Sequence, residues 1–154
     1  VRGKGGTRRV PIDDFLVDSF ATVVGEGEMA LGAEFPVPDD RTAGSYQKVE
    51  RKVGDFATAA AAVQVSLNAD GTIRTAGVAL SAAGACAVRV AAAEQLLSGQ
   101  APSAKLIRAA SNAAWELSAP QADLRGTVEF KKHLAGVLVA RGLRQALARL
   151  GVQS

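Results

Sequence analysis

The run Val63-Gln64-Val65-Ser66-Leu67-Asn68, followed at once by Ala69-Asp70-Gly71, leaves this chain the least conformational freedom. Apolar side chains at every second position mark a half-buried strand, and Asp-Gly after such a run marks a hairpin. Residues 72–80 then form the return strand, with β-branched Thr72, Ile73, Thr75 and Val78. Propensity alone makes the alanines of residues 57–62 a helix. A helix running straight into a strand needs a breaker, and none lies between Phe56 and Val63, so the strand extends back into the alanines. A row of such small side chains lets something flat or bulky lie close above the sheet.

The hairpin sets the reading of its neighbours. Residues 45–52 alternate Tyr46, Lys48 and Glu50 against Gln47, Val49 and Arg51, a second strand. Residues 29–37 alternate loosely and end at Pro36 and Pro38, a further strand stopped by proline. Gly25 to Glu28 is a turn, and Gly3-Lys4-Gly5-Gly6 is hairpin chemistry with residues 7–10 returning. Pro11 stands at a first helical position with Asp13 and Asp14 behind it, where acids suit the helix dipole. A short helix is expected there, with Phe15, Leu16 and Phe20 on one side. Helical spacing takes over later, at about residues 89–97, 102–117 and 127–150. The last helix carries Leu134, Val137, Leu138, Arg141, Leu143 and Leu147 in its pattern, and Gly151 ends it. Strands first and helices after predict an α+β fold: a small antiparallel sheet of three to four strands, followed by three helices packed on it.

The 154 residues suffice for one ordinary core. A net charge of +3, spread over Arg8-Arg9, Arg51-Lys52 and Lys131-Lys132, forms no stripe for nucleic acid and reads as solvated surface. Cys86 and His133 are single, which excludes an internal disulfide and a cysteine-cluster metal site. Cys86 reads as a small buried residue and His133 as one face of a helix. No apolar run spans a bilayer and no signal peptide opens the chain, so a reducing cytoplasm is expected. The glycines near Lys4 precede no helix with a phosphate-binding lysine and serine, and Asp13-Asp14 is explained by the dipole. On these grounds no catalytic constellation emerges.

Two stretches carry more. "KVERKVGDFATAAAA" (residues 48–62) and "DLRGTVEFKKHL" (residues 123–134), with "GEGEMALGAEFPVP" before them, resemble the C-terminal part of the FAD-binding medium subunit of molybdenum hydroxylases, within them the aerobic carbon monoxide dehydrogenase type. The resemblance covers nearly the whole chain in family order. It implies an oxidoreductase subunit helping to hold FAD, which takes electrons from 2Fe–2S clusters and passes them to an external acceptor such as a quinone. It also implies an iron–sulfur small subunit and a molybdopterin large subunit as partners, in the cytoplasm or on the inner face of the membrane through those partners. Residues 1–24 match the tail of the preceding FAD-binding domain, its last strand and short helix, and residues 25–154 the C-terminal domain. Phe56 matches an aromatic that lies against the flavin ring, Lys48 a lysine near it, and Met29 an aliphatic position facing it. Asp55 either fixes the turn that aims Phe56 or meets the flavin. Read from the residues alone, Phe56 and Met29 suit core, and Lys48 a strand surface. Asp123 and Arg125 are expected to lock their loop through an ion pair. The two glycine-rich loops that cradle the pyrophosphate in the family have no match here, so the chain reads as a fragment, a split gene product or the ordered part of a longer subunit. Tight FAD binding by these residues alone is not expected. The competing reading is a non-catalytic assembly domain that no longer contacts flavin.

Overall fold

The hairpin is present, and the rest of the structure is arranged on it. The structure is a computed structural model and describes residues 1–152. Contacts divide the chain into two units, Val1–Val37 and the remainder from Pro38 onward.

In the second unit, β5 (Thr42–Val49), β6 (Ala59–Leu67), β7 (Ile73–Ser81) and β8 (Val88–Arg89) form an antiparallel sheet in that order. The alanines are strand: Ala60 pairs with Lys48 and Ser81, and Ala62 with Tyr46 and Ala79. The turn is longer than Asp-Gly alone. Gly71 N–H donates to Asn68 O at 3.1 Å, and Gly71 takes φ +83°, which glycine adopts without a Cβ penalty. Asp70 Oδ1 accepts from both the Thr72 N–H and hydroxyl, at 2.9 and 2.6 Å. β8 was not foreseen, because two residues are too few for a periodic signal.

Three helices follow: α2 (Ala91–Leu97), α3 (Ala104–Leu117) and α4 (Val128–Arg149). Ser103 and Thr127 cap α3 and α4, each side-chain oxygen accepting a backbone N–H in the first turn. Helix α4 buries Ala135, Leu138, Val139, Gly142, Leu143, Ala146 and Leu147 against the sheet face that carries Ala59, Ala61, Val63 and Val65. The small residues explain how closely they meet. A Cβ on Gly142 would stand 2.9 Å from Val63 Cγ2, so the backbone of α4 lies on the middle of β6. The object predicted to lie close above the alanine row is, on this face, the chain's own last helix. Polar groups fix the edge strand to it: Ser45 and Gln47 both donate to Gln145 Oε1, each at 2.6 Å, and Arg149 donates to Gly44 O.

The first unit contains short hairpins: β1 (Arg2–Gly3) with β2 (Gly6–Thr7), and β3 (Leu16–Asp18) with β4 (Ala21–Thr22), separated by α1 (Ile12–Phe15). The helix after Pro11 is thus a single turn: Leu16 already belongs to a strand, and Phe20 is fully exposed at φ +58°. The strand expected over residues 29–37 is absent apart from a bridge between Met29 and Arg2. No neighbouring strand pairs with its backbone, and Leu31, Phe35 and Val37 stand in solvent. None of residues 1–37 is buried.

Two side-chain expectations also change. Cys86 is partly exposed, since its loop runs outside the core. Lys131 is 7% exposed and no surface lysine, because Asp123 Oδ1 at 2.8 Å and the Gln121 carbonyl at 2.8 Å take its ammonium. Among the described residues, no group of His, Cys, Asp or Glu could hold a metal ion, and no helix is long and apolar enough to cross a membrane.

Candidate functional site

Ser45 and Gln47 face α4, so by strand alternation Tyr46 and Lys48 face the opposite side. That side of the sheet is built from small groups: Gly44, Ala62, Gly77 and Ala79 lie on it by register. Tyr46 is 62% exposed there, beside Ala62.

At the end of β5 the chain makes a tight turn. Asp55 N–H donates to Lys52 O at 3.1 Å, with Gly54 at φ +85°, a conformation glycine supplies. The loop then closes where Thr58 N–H meets Val49 O at 2.7 Å. Phe56 stands on this loop with 82% of its surface exposed. At that exposure Phe56 is not packed into the core of this chain.

Asp55 is the hub. Its side chain is only 11% exposed. Oδ1 accepts the Phe56 N–H at 2.8 Å, Oδ2 the Arg51 Nε at 3.0 Å, and its carbonyl the Lys48 ammonium at 2.7 Å. The Arg51 hydrogen bond first, then the Phe56 N–H, hold the Asp55 carboxyl below the usual aspartate range. The same Lys48 ammonium lies 2.5 Å from Glu50 Oε2. Lys48, Asp55 and Phe56 are therefore brought together, as a cation, a turn-fixing carboxylate and an exposed ring. Met29 lies in the first unit, 67% exposed.

Tyr46 and Arg125 belong to this site and were passed over. Tyr46 had a legible signal, since it precedes Lys48 by two residues on the same strand face. Arg125 had none. The ion pair expected with Asp123 is loose, at 3.9 Å, and Asp123 instead accepts the Arg125 N–H at 2.8 Å. The guanidinium reaches Asp55 Oδ1 at 3.3 Å, across 70 residues of sequence.

The residues fit the ring end of a flavin in part: an exposed aromatic for stacking, a lysine that is paired with Glu50, and a sheet face where Gly44, Gly77, Ala62 and Ala79 lie among Tyr46 and Gln64. They do not fit its pyrophosphate. Among the described residues, no turn with several glycines opens a helix, the arrangement that presents backbone N–H groups to phosphate. The first unit does have an open cleft of about 660 Å³ along Gly3–Arg8 and Gly25–Glu28. Its Arg8 and Glu28 are spent on each other, in two hydrogen bonds of 2.9 and 2.7 Å. Lys4 and Glu26 also line this cleft, which carries no aromatic side chain.

Comparison with known proteins identifies the fold and the family. Residues 44–146 match the family model of the CO dehydrogenase flavoprotein C-terminal domain. The carbon monoxide dehydrogenase medium chain of Hydrogenophaga pseudoflava is 34% identical over 149 residues, 97% of this chain and 52% of the relative. A solved structure of carbon monoxide dehydrogenase from the same organism, lacking the Mo-pyranopterin moiety of its cofactor, superposes with a TM-score of 0.92 at 36% identity, covering 96% of this chain and 51% of that one. Quinoline 2-oxidoreductase from Pseudomonas putida gives 0.86 at 25% identity, over 97% of this chain and 51% of that one. The chain thus spans about half the length of the relatives it matches.

Proposed function

Because the chain belongs to the CO dehydrogenase flavoprotein C-terminal domain family, we propose that its Phe56 loop and open sheet face form the ring side of a flavin site in the FAD-binding subunit of a carbon monoxide dehydrogenase-type molybdenum hydroxylase. The observation that carries this reading is Phe56 itself, 82% exposed on a loop where Asp55 holds its backbone N–H. What sets Phe56 apart from the other exposed rings is its place beside Lys48 and Asp55, on the stretch that resembles the family's flavin-facing segment.

Phe56 stacks on the isoalloxazine, and Tyr46 extends the aromatic surface along the strand. Lys48 places its ammonium beside the ring, where it favours negative charge on it. Asp55 touches no ligand in this reading and aims Phe56 through the backbone. FAD, when bound, supplies the redox chemistry, taking electrons from 2Fe–2S clusters and passing them to an external acceptor such as a quinone. The pyrophosphate is held by the portion of the flavoprotein that this chain does not match; residues 1–24 continue that portion and residues 25–154 form the C-terminal domain. The iron–sulfur and molybdopterin subunits are its partners, in the cytoplasm or at the inner membrane face through them.

Phe56→Ala tests the reading. Stacking is worth ~0.5–1.5 kcal/mol beyond area burial, up to about tenfold in affinity. The variant should weaken FAD binding by up to about that factor, measured by flavin fluorescence, with its melting temperature unchanged. Unchanged FAD binding with a fallen melting temperature would make this an assembly domain with a structural phenylalanine.

A further inference from the structure

We propose that Arg125 is a positioning residue for the flavin: it clamps the Asp55 turn to the helical layer and so sets where Phe56 and Lys48 stand. The proposal rests on the flavin-facing reading of Phe56.

The two strongest motif segments lie far apart in sequence and meet at one contact, Arg125 Nη2 to Asp55 Oδ1 at 3.3 Å. Arg51 is nearer to Asp55, at 3.0 Å, but it is four residues away on the same loop and moves with it. It stiffens the turn and cannot place it. Arg125 can, because its own loop is anchored to α4. Lys131, on α4, is buried and takes Asp123 at 2.8 Å, and Asp123 in turn holds the Arg125 N–H. A Cβ on Gly126 would stand 2.6 Å from Phe130 Cδ1, so the loop also lies against the first turn of α4.

The division of charge favours the long reach. Lys131 claims Asp123, which leaves the Arg125 guanidinium 3.9 Å from that carboxylate and free to pair with Asp55. Arg125 is 27% exposed against 60% for Arg51, so water and salt screen it less. Its Nε is buried with no hydrogen-bond partner. That unpaired donor costs stability, and the guanidinium is held in the structure through its terminal nitrogens. From Asp55 the constraint passes by two bonds, through the Phe56 N–H and through the carbonyl that Lys48 grips. Arg125 therefore bears on both flavin-facing side chains without touching the flavin.

Amide exchange and FAD titration of the full chain test this in Arg125→Ala, Arg125→Lys and Asp55→Asn. In Arg125→Ala the Asp55 and Phe56 amides should exchange faster, with the amides of β6 unchanged and FAD affinity reduced about two- to fivefold. Arg125→Lys keeps the charge and should recover part of both effects, which also covers the case in which the alanine variant folds poorly. In the Asp55→Asn background the Arg125→Ala change should add little. Unchanged exchange at Asp55 and Phe56 overturns the clamp. So does FAD binding that weakens in Phe56→Ala but not in Arg125→Ala, with the flavin reading left standing. If neither variant alters FAD binding, the flavin reading falls, and the positioning role with it.

Discussion

At the residue scale the site turns on one carboxylate. Asp55 is nearly buried, yet it carries three donors on its two oxygens and a fourth on its carbonyl. All three carboxylate partners stabilise the ionised form. A folded value depressed in this way contributes stability that is fully present above the ordinary aspartate value of about 3.9, and lost as pH falls through the depressed folded value. The loop should therefore hold its shape at neutral pH and loosen only below about pH 4, with Phe56 losing its orientation there. An NMR titration of the Asp55 carboxyl carbon, followed beside the Phe56 amide, reads this directly. A Phe56 amide that moves near pH 6 to 7 would show that another group governs the loop. Glu28 behaves likewise in the first unit, where the Arg8 hydrogen bond, then the Gly25 N–H, bring its carboxyl to about 2. Phe56 and Lys48 were legible only through the family resemblance; read from the residues alone they suited core and a strand surface. Sequence spacing could not flag Arg125, whose partner is 70 positions away.

At the element scale the sheet and α4 depend on absent side chains. Gly142 faces Val63, which is 4% exposed and branched, so neither can yield cheaply. Gly142→Ala gains about 1 kcal/mol of helix propensity and meets an overpacking cost of about 1–3 kcal/mol. The net loss of about 1 kcal/mol should lower the melting temperature by about 4 °C. A rise instead would mean that helix and sheet stand further apart than described. The same elements show what pattern can reveal. The alternation after the alanines was enough to choose strand over helix, since a β6 buried on one face needs period two. The helices α3 and α4 announced themselves by spacing, and α4 also by Thr127 at its start; the Ser103 cap of α3 emerges only in the structure. Residues 29–37 misled because loose alternation says nothing about a partner, and a strand without one has no ladder. Lys131 misled because pattern reads a lysine in a first helical turn as solvated, while here Asp123 holds it in the interior.

At the scale of the whole molecule the two units differ in kind. The second has a continuous core from Ala59 to Leu147, and the first has no buried residue at all. Ile12, Val17, Phe20, Leu31, Phe35 and Val37 stand more than half exposed within those 37 residues. Relatives are about twice as long as this chain, and the proposed flavin site takes its ring side from the second unit. Limited proteolysis should accordingly cut within residues 1–37 and leave the core from β5 to α4 intact. Early cutting inside α3 or α4 would contradict that division. The central claim, that this chain offers one face of a flavin ring site, is tested most directly by titrating FAD into the chain and mapping the backbone amide shifts. One stacked ring and one cation on an open face amount to a few kcal/mol, so a dissociation constant of about 1 mM is expected. The shifts should gather at Tyr46, Lys48, Asp55, Phe56 and Ala62. Tight stoichiometric binding, or shifts confined to the Gly3–Arg8 and Gly25–Glu28 cleft, would contradict it.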